Sequence, residues 1–394
     1  VQADIMDTPH SHLSDPIKLA LSLIQCPSVT PVEGGALTFL EGVLKDLGFR
    51  CQRLRFESKG TEPVDNLFAK LGTTKPHFCF AGHTDVVPPG DLNAWMNDPF
   101  QGVLRDGVLY GRGAVDMKGA IAAFVAAVSR ILHKHPLPFS VSLLITGDEE
   151  GVAINGTRRV LGWLEEHGES IDFCLVGEPT CQEKLGDTIK IGRRGSLNTH
   201  LTVKGRQGHV AYPERARNPV SHLIDILYHL KKGPPESKSQ YFSRSNLEIT
   251  SIDVGNQTTN LIPDQASARF NIRFNDQHTG ASLERWISQI CKEYDSEFQV
   301  KFELCGEAEF IAPNLYTHLL AQTIAEVTGV QPKLKTLGGT SDARFIRHYA
   351  PVLEFGLVGR TMHQVDECVE IRDLERLTEI YQQILLRWPT IVEQ

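Results

Sequence analysis

The sequence predicts an α/β fold, a sheet covered by helices on both faces, interrupted by an inserted ferredoxin-like α+β domain. Three observations predict it. Four short apolar runs each lead into acid or histidine, and helix-like stretches separate them; strands alternating with helices build a sheet covered on both sides. Residues 197–304 break that rhythm with the order β-α-β-β-α-β of a ferredoxin-like unit. Beyond about residue 308 helix and strand alternate again. The expected division is therefore 13–194 for the first part of one domain, 195–307 for the inserted domain and 308–394 for the remainder of the first.

In chain order, the N-terminal VQADIMDTPHSHLSDP is polar and lacks the basic-then-apolar order of a signal peptide. It is expected to be a disordered lead. Helical spacing follows over Ile17–Gln25 and Gly35–Leu47, the second stopping at Gly48. The run Phe78–Ala81 leads to His83 and Asp85, Val141–Thr146 to Asp148-Glu149-Glu150, Ile171–Val176 to Glu178, and Val352–Leu357 to His363. Helices are expected between them over Lys118–Lys134 and Gly156–His167, and at the end over Arg372–Arg387. Within the insertion, strands are expected at Leu197–Val203, Leu247–Val254, Ala266–Phe274 and Phe298–Leu304, with helices at Pro219–Lys232 and Ser282–Tyr294. In open α/β sheets ligands sit beyond the carboxyl ends of the strands, so the four runs converge two histidines and several carboxylates on one rim.

Composition excludes several function classes. With 394 residues the chain can bury two cores, and 41% hydrophobic with 22% charged residues is ordinary for a globular protein. A formal charge of −8 gives no general attraction to nucleic acid or anionic membrane. No apolar run is long enough to span a bilayer. Eight scattered cysteines without a C-x-x-C pair point to reduced thiols and a cytoplasmic location.

The rim residues are His83, Asp85, Asp116, Glu149, Glu150, Glu178 and His363. A neutral imidazole is a good zinc ligand, and a carboxylate two residues on can hold its other ring N–H. Nitrogen and oxygen donors without thiolate suit Zn, Mn or Co. Two imidazoles and three carboxylates exceed what one four-coordinate zinc with an open position needs, and they fit two metals bridged by one carboxylate. Such a pair, roughly 3.5–4 Å apart, can clamp a developing oxyanion. Adjacent Glu149 and Glu150 fit either a solvated turn or a division of labour, one binding metal and the other free as a general base. Other chemistries fail: Gly111-Arg112-Gly113 begins like a dinucleotide fingerprint but has Asp116 where the third glycine belongs, and there is no P-loop, H-E-x-x-H or G-x-S-x-G. Metal-assisted hydrolysis is left. Arg193-Arg194 between glycines reads either as a carboxylate fork or as a surface charge pair. The loop Gly205–Pro213 presents His209 and Tyr212, while Asn260, Arg273 and the turn Gly338–Asp342 add polar groups of open purpose.

AGHTDVVPPGD (81–91), YGRGAVDMKG (110–119), LLITGDEEG (143–151), VGEPT (176–180), IGRRGSL (191–197), KGRQGHVAYP (204–213), GGTSDARF (338–345) and His363 together resemble the M20 family of co-catalytic zinc hydrolases along nearly the whole chain. The resemblance implies a di-zinc peptidase-like catalytic domain with a mixed sheet covered by helices, plus an inserted ferredoxin-like dimerisation domain. It implies two Zn2+ per subunit, replaceable by Co2+ or Mn2+, with Asp116 bridging. His83 and Glu178 would complete one site, and Glu150 and His363 the other. Asp85 would orient His83, Glu149 would be the general base, and the peptide Asp116–Met117 would be cis. His209 would steady the oxyanion in the partner subunit of a homodimer. Arg193, Ser196, Tyr212, Asn260, Arg273, Gly339 and Thr340 match positions that hold substrate carboxylates. The implied reaction is hydrolysis of N-succinyl-L,L-2,6-diaminopimelate to succinate and L,L-2,6-diaminopimelate. Hydrolysis of another acyl substrate such as N-acetylornithine, or metal and ligand binding without catalysis, are the alternatives. One departure stands out: members often carry Asn four residues before the last metal His, where this chain has Gly359 with Arg360 beside it. Either Arg360 supplies that polar contact or the succinyl pocket is altered.

Overall fold

The computed structural model describes residues 11–392 except Ser296 and Leu337. The expected disordered lead needs correction over its second part. Residues 1–10 lie outside the described residues, but Ser11–Ser14 form a 3-10 turn with Leu13 buried. Asp15 then caps the helix Pro16–Ile24 by accepting from the amides of Ile17 and Lys18, which satisfies two of the donors a helix start leaves open.

The chain divides into two compact units. The first comprises the chain through Ile191, Ala312–Leu334 and Thr340 onward; the second is Gly192–Ile311 with Lys335–Gly339. The boundaries thus fall outside the expected 195 and 307. The reason is local pairing: Gly192–Arg193 forms an antiparallel pair with Glu309–Phe310, and Arg193 Nε donates to Glu309 at 3.2 Å. These residues close the neck of the insertion and belong to it. Thr336 joins the same unit by donating to the Tyr241 carbonyl at 2.7 Å.

The main sheet has the strand order Arg50–Phe56, Val64–Leu71, Ser140–Thr146, His77–His83, Phe173–Val176, Val352–Glu354, Thr188–Lys190, Lys333–Lys335. Four strands were expected and eight are present among the described residues. The four expected ones are the parallel centre, and the strands joined to them on either side are antiparallel. Parallel strands buried on both faces read as continuous apolar runs, and Ser140–Thr146 and His77–His83 are buried at every position. Arg50–Phe56 is an exposed edge with only Leu54 buried, so its charged sequence hides it.

Aromatic packing fixes one face. Phe78 and Phe80 point the same way along their strand. Phe80 stacks on Phe124 of the helix Lys118–Leu132, centroids 4.3 Å apart, and meets Tyr381 edge-on at 5.6 Å. Phe78 meets Trp388 edge-on at 5.2 Å; Tyr381 and Trp388 both belong to the helix Ile371–Val392. Each of these buried rings contributes about 1.5–3 kcal/mol. The opposite face takes the helix Thr157–Glu166, whose Val160, Leu161 and Leu164 are buried, with Trp163 against Phe68. Because the central strands run together, their carboxyl ends share one edge, and the polar residues after them gather there.

The second unit is a four-stranded antiparallel sheet in the order Asn246–Asp253, Gln265–Phe274, Gly195–Lys204, Phe298–Gly306. Along Gln265–Phe274 the buried residues alternate strictly over much of the strand. Ala268, Phe270, Ile272 and Phe274 pack with Leu223 and Ile226 of the helix Pro219–Leu230 and with Leu283 and Ile287 of the helix Gly280–Tyr294.

Candidate metal centre

Every donor of the centre comes from the first unit. His83 ends its strand at 1% side-chain exposure. Its Nδ1 lies 2.8 Å from the Asp85 backbone carbonyl, which accepts a hydrogen bond from it and turns Nε2 inward, as for a ligand imidazole. Nε2 then lies 3.1 Å from Asp116 Oδ1 and 3.6 Å from Glu178 Oε1. The second imidazole stands on the other side of the same carboxylate: His363 Nε2 is 3.1 Å from Asp116 Oδ2 and 2.8 Å from Glu150 Oε1. Asp116 thus turns one oxygen to each imidazole. Three sets bring their ligand atoms within 4.8 Å of one another: His83, Asp116 and Glu178; Asp116, Glu150 and His363; and His83, Glu149 and Glu150.

Asp85 works differently from the expectation. Its carboxylate is 3.7 Å from His83 Nδ1 and instead accepts from the amides of Glu149 and Glu150, at 3.3 and 3.0 Å. It orients the imidazole through its backbone and aims the two glutamates through its side chain. The strand stops at His83, so the alternation that would align both side chains no longer holds at Asp85. The segment after Thr146 is no solvated turn either. Asp148 is buried, and its Oδ2 accepts from the amides of Ile154 and Asn155, both at 2.9 Å. Those bonds curl the loop, with Glu149 and Glu150 half-buried at its start and Gly151 and Val152 exposed beyond them.

Asp116 sits in a tight frame. The peptide Asp116–Met117 is cis, as the resemblance implies. Glycine is required where the Met117 side chain passes: a Cβ at Gly82 would lie 2.3 Å from Met117 Cε, and one at Gly177 2.4 Å from the Phe80 ring and 2.8 Å from Met117 Cε.

Electrostatics mark the cluster as a cation-binding donor set. Burial pushes the Glu149 carboxyl up to about 8, with the His83 charge opposing and Asp342, Glu150 and Asp116 adding. Burial likewise holds Glu178 well above the carboxylate range, Asp116 and Glu149 contributing. Hydrogen bonds to Asp116 and Glu150 raise His363 to about 10. Burial works to raise Asp116, but hydrogen bonds from His363 and His83 outweigh it and hold the carboxyl below its ordinary value. The polypeptide alone sets four carboxylates against two imidazoles, and protons are retained to balance the charge. Divalent ions replace such protons, and a mixed N/O set without sulfur suits zinc, manganese or cobalt. The residues fit two metals.

The remaining expected residues divide between the units. Thr340 is an exposed residue of the first unit and Gly339 an exposed residue of the second. Arg193, Ser196, His209, Tyr212, Asn260 and Arg273 belong to the second. There, exposed His209 accepts from the Ala211 amide through Nδ1 at 3.1 Å, so its ring proton is on Nε2, where it can be donated. Ser196 stands opposite Arg273 in the sheet and accepts from Asn271 Nδ2 at 3.0 Å. The Asn260 carbonyl accepts from the Val210 amide at 3.1 Å; Tyr212 is exposed. Arg193 is buried and already faces a carboxylate of its own unit, Glu309. Arg360 lies elsewhere: its guanidinium donates to the Glu183 carbonyl at 3.2 Å. It lines a cavity of about 580 Å3 with Lys184, Arg372 and Arg376, to which no candidate ligand contributes. It is not placed to substitute for the missing Asn.

Two residues of this neighbourhood escaped the sequence reading, Arg112 and Glu367. Arg112 was legible only as part of a failed dinucleotide motif. Glu367 follows His363 closely, the one signal that pointed to it.

Residues 79–387 match the family model described as Peptidase family M20/M25/M40. A protein of Parvibaculum lavamentivorans named succinyl-diaminopimelate desuccinylase is 53% identical over 375 residues, 94% of this chain and 95% of that protein. One of the same name from Rhodospirillum centenum is 54% identical, over 95% and 97%. Among solved structures, the aminopeptidase PepT from Bacillus cereus superposes with a TM-score of 0.75 at 19% identity, covering 95% of this chain and 98% of its own. The Bacillus subtilis YXEP protein, titled a dinuclear metal binding peptidase, gives 0.67 at 16%, covering 96% and 98%. These distant structures share the fold.

Proposed function

The chain belongs to peptidase family M20/M25/M40, and within it we propose a metal-dependent amide hydrolase that converts N-succinyl-L,L-2,6-diaminopimelate and water to succinate and L,L-2,6-diaminopimelate. The carrying observation is that relatives bearing that activity's name are more than half identical over nearly the full length. The geometry supports the chemistry.

Asp116 would be shared by two metals, with His83 and Glu178 holding one and Glu150 and His363 the other. Two bound zinc ions, or cobalt or manganese in their place, supply Lewis acidity that activates water and stabilises an oxyanion. Glu149 is the general base. Its carboxyl oxygen lies within 4.8 Å of the His83 and Glu150 donor atoms, beside the position where the water would be held, as a group that takes and returns a proton must. It accepts a proton as the water oxygen attacks the amide carbon, and it delivers that proton to the amine nitrogen as the C–N bond breaks. Asp85 keeps Glu149 and Glu150 on station. His209 of the partner subunit donates to the oxyanion through Nε2 in a homodimer formed by the inserted unit. Arg193, Ser196, Tyr212, Asn260, Arg273, Gly339 and Thr340 hold the carboxylates of a substrate that carries three. All eight cysteines are free, which supports a cytoplasmic setting; no helix among the described residues is long and apolar enough to cross a membrane.

The test is amide hydrolysis by metal-stripped protein, titrated with zinc, on N-succinyl-L,L-diaminopimelate and N-acetylornithine in parallel. Activity on the succinyl substrate that reaches a plateau by two equivalents is the expected result. Activity confined to the acetyl substrate overturns the acyl assignment, and inactivity on both with metal bound overturns catalysis.

A further inference from the structure

Asp116 and His363 come from segments far apart in sequence, yet both must face the same metal. One buried ion pair joins those segments. Glu367 is fully buried and Arg112 is 2% exposed. Arg112 Nη1 donates to Glu367 Oε2 at 2.7 Å and to the Gln364 carbonyl at 3.2 Å. Glu367 Oε1 accepts from the amides of Val115 and Asp116, at 2.9 and 3.1 Å. The Glu367 carbonyl accepts from the Gly111 amide at 2.9 Å, and the Arg112 guanidinium lies over the Trp95 ring, 5.0 Å from its centroid. Residues 111–116 and 364–367 are thereby stitched at five points.

The second segment needs restraint. His363 has φ 62° and Asp366 φ 56°, left-handed conformations that non-glycine residues adopt at a cost and keep only where their surroundings impose them. Asp366 Oδ1 accepts from the Met96 amide at 2.9 Å, and the Gln364 carbonyl, next to His363, is held by Arg112. A buried ion pair is weak support for stability, since apolar residues of similar volume often serve as well or better. Its use here is geometric.

We infer that Arg112 and Glu367 are positioning residues that set the distance between Asp116 and His363 and so define the metal position formed by Asp116, Glu150 and His363. Neither belongs to any of the three donor sets. The His83–Glu178 position depends on them only through Asp116, because His83 is aligned independently by the Asp85 carbonyl. This inference rests on the two-metal reading above.

The experiment uses the full-length, metal-stripped chain, titrated with zinc against a competing chelator. Cobalt(II) absorption reports ligand geometry, and thermal unfolding of the metal-free protein reports the fold. The variants are Arg112→Met with Glu367→Met together, which removes both charges at once, and Glu367→Gln, which keeps an acceptor for the two amides. For the double variant, which leaves the Val115 and Asp116 amides without their acceptor, the expected result is a folded metal-free protein that melts below the parent. One of its two zinc equivalents should weaken about 10–100-fold, the usual effect of losing a group that orients ligands, with an altered cobalt spectrum. Glu367→Gln should give a smaller shift in the same equivalent. Wild-type affinity for both equivalents in the double variant overturns the inference, and so does equal weakening of both with a parallel loss of thermal stability. Should the double variant not fold, Glu367→Gln decides by the same criteria. A parent chain that binds no zinc overturns the metal reading itself.

Discussion

The two sides of Asp116 are built by different means. On one side His83 ends a central strand, its side chain 1% exposed, its ring fixed by the next turn of backbone. On the other, His363 is 44% exposed on an irregular segment with positive φ, held from outside by side-chain bonds. A ligand set by the sheet is as rigid as the sheet. One set by a strapped loop can be retuned without disturbing the core, at the expense of needing its straps. The contrast teaches that one metal position is part of the fold and the other is attached to it.

The largest expected effect tests where Glu149 falls in this scheme. The set His83, Glu149 and Glu150 brings Glu149 within ligand reach of the buried side, where it would be a fourth ligand beside His83, Asp116 and Glu178. As the base, Glu149→Ala should lower turnover by about 10^2–10^4-fold with two zinc equivalents retained. Loss of one equivalent, measured by elemental analysis, would make it a ligand instead.

A second pair sharpens the contrast directly. His83→Ala removes a fully buried ring and leaves the Asp85 carbonyl and Asp116 Oδ1 without their imidazole partner. It should cost the metal-free protein about 1–3 kcal/mol. His363→Ala should leave metal-free stability nearly unchanged while abolishing one metal equivalent. Equal melting shifts for the two would erase the distinction.

The smallest effect lies at the start of the same strand. Burial lowers the pKa of His77, whose ring contacts the Ser170 carbonyl at 2.6 Å and Ser142 Oγ at 2.8 Å. A histidine depressed in the folded state binds fewer protons there than in the unfolded chain, so stability rises with pH across the window below the ordinary value. Its contribution is complete above about pH 6.5 and fades on acidification. The raised Glu149 and Glu178 carboxyls slope the other way, so the His77 contribution is read as a difference: melting of metal-free His77→Gln should rise relative to the parent as pH drops below that point. A difference that does not change with pH would remove His77 as a source.

What the sequence disclosed follows from range. The parallel centre was legible because strands buried on both faces are continuous apolar runs. The convergence of His83, Glu149, Glu150 and Glu178 follows once those strands run together. Arg50–Phe56 was hidden by its exposed, charged face. The Asp85 carboxylate was misassigned because its partners are amides 64 and 65 residues away. Arg112 and Glu367 are 255 residues apart, a pairing that no local pattern encodes.

The place of Val352–Glu354 in the sheet has a consequence for a chain made from one end. It lies between Phe173–Val176 and Thr188–Lys190, parallel to one and antiparallel to the other. Until translation has passed residue 354, a slot stands open in the middle of the sheet, flanked by strands with unpaired backbone. His363 emerges later still. From residue 190 until residue 354 the ribosome thus carries a polypeptide with a gapped sheet and four of its five proposed metal donors, and the same final stretch of chain fills the slot and delivers the last one.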